Sequence, residues 1–119
     1  MNPSPRPLRV AIVGAGYVAQ HHIAALVRLP YVEVVGVCDA NLVAAQATAT
    51  AFKVPRAVSA LSELADAQPN VAYILTPPAS HPALAMTAMD MGCHVLVEKP
   101  MADSAAECEA MIAKAQATG

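Results

Sequence analysis

Apolar residues in this chain come in short bursts that alternate between two periods. Residues 8–13 carry Val10, Ile12 and Val13 in a compact run that ends on Gly14, the pattern of a strand buried on both faces. Over 17–28 the spacing becomes helical, with Ala19, Ile23, Leu26 and Val27 on one face, and Pro30 stops it. Residues 32–38, rich in β-branched valine, predict a second strand closed by Asp39. Asn41 then suits the cap of a helix in which Leu42, Ala45, Ala49 and Phe52 line up. A short third strand over 56–59 and a small helix over 61–67 come next, followed by a fourth strand over 71–76 that Pro77-Pro78 halts. The next helix is expected from about 80–82 to Met91, with Gly92 as its stop. The fifth strand centres on 95–97 and reads as buried. Ser104-Ala105-Ala106-Glu107 has the capping-box pattern, ahead of a stripe of Cys108, Met111, Ile112 and Ala115.

Strands alternating with helices imply βαβ units and an α/β fold built on a doubly wound parallel sheet. The standard dinucleotide-binding sheet has six strands in the order 3-2-1-4-5-6. The pattern here runs out after the fifth, so the chain is expected to stop inside the fold. The expected organisation is a proline-rich tail over 1–7, an incomplete dinucleotide-binding domain over 8–119, and no substrate domain.

Composition narrows the class. The 119 residues suit one domain, and a formal net charge of −2 carries no basic footprint for nucleic acid. Hydrophobic residues make up 56% of the chain, much of it alanine, with one Phe, three Tyr and no Trp. That mixture packs helices closely over a sheet. Cys38, Cys93 and Cys108 are widely spaced and odd in number, which argues against a disulfide framework or a zinc site. The opening residues lack the apolar core of a signal peptide, and no apolar run reaches membrane-spanning length. A cytoplasmic location with no membrane partner is therefore expected.

Gly14-Ala15-Gly16-Tyr17-Val18-Ala19 fits G-x-G-x-x-G/A between the first strand and the first helix. Gly14 permits the tight turn, Gly16 leaves room for a pyrophosphate, and small Ala19 lets the helix approach the strand. Free N–H groups at the helix start face the phosphates. Asp39, ending the second strand, stands where an acid would meet the adenosine ribose hydroxyls and repel a 2′-phosphate. No arginine follows it, since Ala40, Asn41 and Leu42 do, which favours NAD over NADP. A bare turn, and an Asp39 that merely caps the following helix, remain the alternatives.

The strand His94-Val95-Leu96-Val97 delivers Glu98-Lys99-Pro100 to the carboxyl end of the sheet, where open α/β sheets bind their ligands. A lysine delivered there can reach a bound substrate; an ordinary solvated Lys99 and a His81 that caps before Pro82 are the alternatives from the residues alone, while His21 and His22 read as surface or packing residues and His94 as a strand-entry residue.

With these motifs placed, the chain resembles the glucose–fructose oxidoreductase, inositol dehydrogenase and rhizopine-catabolism (Gfo/Idh/MocA) family. The stretches that carry the likeness are Val10-Ala11-Ile12-Val13-Gly14-Ala15-Gly16, Val37-Cys38-Asp39, Thr76-Pro77-Pro78-Ala79-Ser80-His81 and Gly92 through Pro100. The resemblance implies that Lys99 contacts the substrate hydroxyl beside the nicotinamide, with Glu98 near the nicotinamide ribose. It implies that Thr76, Pro77 and Pro78 line the cofactor cleft and that His81 stands near the nicotinamide. Pro78 replaces an asparagine common in the family.

The function implied is the NAD(P)-binding portion of an oxidoreductase that moves hydride between nicotinamide and a secondary alcohol of a sugar or cyclitol. The family's carboxyl-terminal domain supplies most of the substrate pocket, the general base and the oligomer interface. This chain alone is therefore expected not to turn over. A non-catalytic nucleotide sensor on the same fold is the alternative, although an intact E-K-P favours the enzyme. The unpaired outer edge of the fifth strand and the last helix are expected to draw a second copy into a homo-oligomer.

Overall fold

Strand and helix alternate along the whole of residues 7–119, which the computed structural model describes. Of the tail expected over 1–7, all but Pro7 lies outside the described residues. The elements are β1 (Leu8–Val13), α1 (Tyr17–Leu26), β2 (Val32–Cys38), α2 (Leu42–Phe52), β3 (Ala57–Val58) and a 3-10 helix Leu61–Ala67. They continue with β4 (Val71–Ile74), a short 3-10 turn Pro78–Ser80, α3 (His81–Asp90), β5 (His94–Val97) and α4 (Ala105–Thr118). The strands form one sheet in the order β3-β2-β1-β4-β5, and every neighbouring pair is parallel. This is the expected doubly wound α/β arrangement. No helix among the described residues is long and apolar enough to cross a membrane.

Alternation along β1 builds two cores, because successive side chains of a strand point to opposite faces. Val10 and Ile12 pack with Ala19, Ile23 and Leu26 of α1 and with Ala45 and Ala49 of α2. Ala11 and Val13 face the other way, against Leu61 and Leu64 of the 3-10 helix and Ala88 of α3. A third, smaller cluster joins Ala85 and Met89 of α3 to Met111 of α4. The 3-10 helix can approach the sheet because β2 carries Gly36 there. A Cβ at that position would stand 2.5 Å from Leu64 Cδ2, a side chain that is fully buried.

Several expectations need correction. Helix α1 ends at Leu26, and Val27 is its cap, so its side chain is 47% exposed instead of joining the inner face. Leu42 opens α2 and is also exposed, while Phe52 is only half-buried. β3 and β4 are shorter than expected, ending at Val58 and Ile74. β5 is not a buried strand. It is the outer strand of the described sheet, and its side chains alternate between exposed and half-buried. In α4 only Met111 is buried, and Ile112 faces outward.

Candidate functional site

The turn from β1 into α1 is built around Gly14, whose φ of +110° suits glycine alone. A Cβ there would also lie 3.0 Å from the Leu75 carbonyl carbon, because the chain leaving β4 passes directly beside the turn. The Gly14 N–H donates to the Cys38 carbonyl at 2.7 Å. Gly16 is the N-cap of α1 in extended backbone, and nothing lies within 4 Å of where its Cβ would be. No side chain caps α1 and its first turn holds no acid, so the N–H groups at its start have no side-chain partner. Ala19, 1% exposed, packs into the core beneath. Tyr17 is 80% exposed with its ring edge on His21, and Val18 is exposed as well.

Asp39 is tied to this turn. Its Oδ2 accepts the Ala15 N–H at 2.8 Å, and its Oδ1 accepts the Asn41 N–H at 2.8 Å. It does not cap the following helix; Asn41 does, accepting the Ala44 N–H at 3.2 Å. Each carboxylate oxygen keeps a further lone pair for a ligand. Next to Asp39, Cys38 is buried, and that burial, reinforced by the charges of Asp39 and Glu63, pushes its thiol up to about 11. Burial raises Cys93 too.

A cavity of about 720 Å³ opens at the carboxyl ends of β1, β2 and β4. Its walls include Val13, Asp39, Thr76, Pro77 and Ser80. The volume falls in the range typical of small-molecule and cofactor sites. The position is the topological switch point, since β2 and β4 flank β1 on opposite sides. Ser80 braces the rim, with its Oγ 2.6 Å from Thr76 Oγ1 and 2.7 Å from the Pro77 carbonyl. Ser59 and Ser62, from the segment after β3, also line the cavity. Sequence reasoning missed these three serines, because small hydroxyls carry no spacing that marks a ligand.

None of residues 14–19 lines this cavity, and neither do Pro78, His81, Glu98 and Lys99. The Glu98 N–H donates to the Ile74 carbonyl at 3.0 Å, and its Oε2 lies 3.5 Å from His22 Nε2 on α1. His22, expected only to pack, therefore reaches the E-K-P segment, with its ring edge also on Tyr73. Lys99 is exposed, and the Lys99–Pro100 peptide is cis. His81 is 1% exposed, with both ring nitrogens against backbone carbonyls. It neither caps a helix by its side chain nor has a nitrogen free for a nicotinamide. Among the described residues, no cluster of three or more His, Cys, Asp or Glu side chains is arranged to hold a metal ion.

A glycine turn, an uncapped helix start, an acid at the end of the neighbouring strand and a cleft walled in part by that acid define a dinucleotide-binding domain of the Rossmann type. The model of the Gfo/Idh/MocA oxidoreductase family, NAD-binding Rossmann fold, matches residues 8–119. The chain belongs to that family. It is 39% identical over 115 residues to a trans-1,2-dihydrobenzene-1,2-diol dehydrogenase of Mus musculus, covering 94% of this chain and 34% of the relative. It is 34% identical over 120 residues to the D-glucoside 3-dehydrogenase of Escherichia coli, covering 95% of this chain and 33% of the relative. Among solved structures, the WlbA dehydrogenase of Bordetella pertussis, in complex with NADH and UDP-GlcNAcA, superposes with a TM-score of 0.89 at 31% identity. That match covers 96% of this chain and 36% of the other. The chain thus spans about a third of the length of these relatives.

Proposed function

We propose that residues 8–119 form the cofactor-binding unit of a dehydrogenase that oxidises a secondary alcohol of a sugar or cyclitol. The observation that carries this reading is the cavity at the switch point, with Asp39 on its wall and bonded to Ala15 of the turn that leads into the uncapped start of α1. Gly14 shapes the turn, Gly16 keeps the approach open, and the N–H groups from Tyr17, Val18 and Ala19 onward face the pyrophosphate. Asp39 accepts hydrogen bonds from the adenosine ribose and opposes a 2′-phosphate, so NAD is the cofactor and NADP the poorer ligand. Thr76 and Pro77 bound the cleft, and Pro78 carries the chain into α3.

When bound, nicotinamide supplies the hydride acceptor. Lys99, from the end of the sheet, orients the substrate oxygen and stabilises the negative charge that develops there as its proton leaves. Glu98, held between β4 and His22, lies toward the nicotinamide ribose. The general base and the remaining substrate contacts are assigned to none of these residues. Support for a sugar-like substrate comes from the relatives, whose names specify a glucoside, a cyclic diol and a sugar nucleotide.

The test is an amide NMR titration of the chain with NADH. Shifts concentrated at Gly14–Ala19, Asp39, Thr76, Glu98 and Lys99 are expected. Saturable shifts elsewhere with these amides unmoved would overturn the site.

A further inference from the structure

His81 is the most deeply buried polar side chain among the described residues, at 1% exposure. Its ring lies between two segments of chain. Nε2 is 2.6 Å from the Thr76 carbonyl oxygen, just after β4. Nδ1 is 2.9 Å from the Pro100 carbonyl oxygen and 3.3 Å from that of Met101, just after Lys99. Carbonyl oxygens only accept, so each contact needs an N–H on the ring.

Lys99 itself has little to hold it, for its side chain is exposed. The chain on either side is secured. Upstream, the Glu98 N–H is bonded to Ile74 of β4. Downstream, Pro100 and Met101 rest on His81. Because His81 also grips Thr76, it fixes the E-K-P segment relative to the rim of the cofactor cleft.

We infer that His81 is the positioning residue for Lys99, a two-armed tie between the loop after β4 and the chain after β5. Its effect on catalysis rests on the reading of Lys99 given above, but the tie itself exists without ligand and is measured without one.

The experiment is nitrogen-15 NMR on the full 119-residue chain with no cofactor added. His81→Leu removes both arms, and the Glu98, Lys99 and Met101 amides should exchange about tenfold faster, as the loss of one strong hydrogen bond gives. His81→Asn places an amide nitrogen near the position of Nδ1 and should restore slow exchange there. His81→Gln reaches the Thr76 side instead and should not. If the leucine variant fails to fold, the Asn–Gln contrast still decides.

Exchange at Glu98, Lys99 and Met101 that is the same in all the variants would overturn the tie. Faster exchange spread evenly over β1 and β4 would mark a merely structural histidine and overturn it equally. Adding NADH afterwards tests Lys99 separately, since an unmoved Lys99 amide counts against its placement beside the cofactor and leaves the tie intact.

Discussion

The carboxylate of Asp39 accepts the backbone N–H of Ala15 at 2.8 Å, which makes the acid ending β2 and the glycine turn ending β1 one unit. The residue expected to meet the ribose also shapes the loop expected to meet the phosphates. Asp39→Ala removes the acceptors for both Ala15 and Asn41 and should lower stability by about 2 kcal/mol. Asp39→Asn keeps one oxygen acceptor and should lose about half as much. The asparagine variant still lacks the charge that opposes a 2′-phosphate, so its preference for NADH over NADPH should narrow despite the milder loss of stability. Urea melts beside cofactor titrations separate the two effects. An asparagine variant with an unchanged preference would show that charge plays no part.

The two glycines of the turn should respond in opposite ways. Gly14→Ala forces a side chain into a φ of +110° and against the Leu75 backbone, and should cost roughly 1–3 kcal/mol or more. Gly16→Ala meets open space in ordinary extended backbone, so its melting temperature should stay near that of the parent. Its methyl group stands where the pyrophosphate approaches, and NADH affinity should fall. Thermal melts and NADH fluorescence on both variants check this. Full NADH affinity in Gly16→Ala would remove the phosphate from that turn.

Cys38 links stability to alkaline pH. Burial first, then the negative charges of Asp39 and Glu63, raises its thiol from 9.0 to about 11. The fold therefore favours the protonated thiol. That contribution is complete below pH 9.0, shrinks as pH rises toward about 11, and is gone above it. The measurement is the difference in unfolding free energy between the parent and Cys38→Ala as a function of pH. The parent's advantage should shrink across that window. A difference that does not vary with pH would mean the thiol is not held in its protonated form by burial.

Much of the fold is readable in the sequence because each strand announces itself by an apolar run and each helix by its spacing. Val10, Ile12 and Val13 specify β1, and Gly14 its end, with no help from the rest of the chain. Errors come where tertiary position overrides local pattern. Val27 and Leu42 sit at helix ends and are exposed, so apolar character does not bury them. Leu96 belongs to a run that resembles a buried strand, yet no described strand pairs with the outer side of β5. The site divides in the same way. Gly14, Gly16 and Asp39 follow from motif spacing, whereas Ser59, Ser62 and Ser80 line the cavity without a pattern. The contacts of His22 with Glu98 and of His81 with Pro100 join residues distant in sequence that only folding brings together.

The outer side of β5 gives a prediction about association. Leu96 is 39% exposed on one face of β5, and Ile112 of α4, 50% exposed, lines a groove on the other face with Met89, Val97, Met101 and Met111. Unpaired strand edges with apolar neighbours invite a second chain. The 119-residue chain should form a dimer whose population rises with concentration, and Leu96→Lys should weaken it. Light scattering after size exclusion across a dilution series reads this directly. A monomeric mass throughout would contradict it.

The central claim, that the cleft between β2, β1 and β4 takes a dinucleotide selected by Asp39, is tested most directly by calorimetric titration of the chain with NADH and with NADPH under identical conditions. The account predicts saturable binding of both, with NADH at least about tenfold tighter, on the scale of one hydrogen bond to a charged group. Tighter binding of NADPH, or binding of neither cofactor by a chain whose folded state is verified in the same sample, would contradict it.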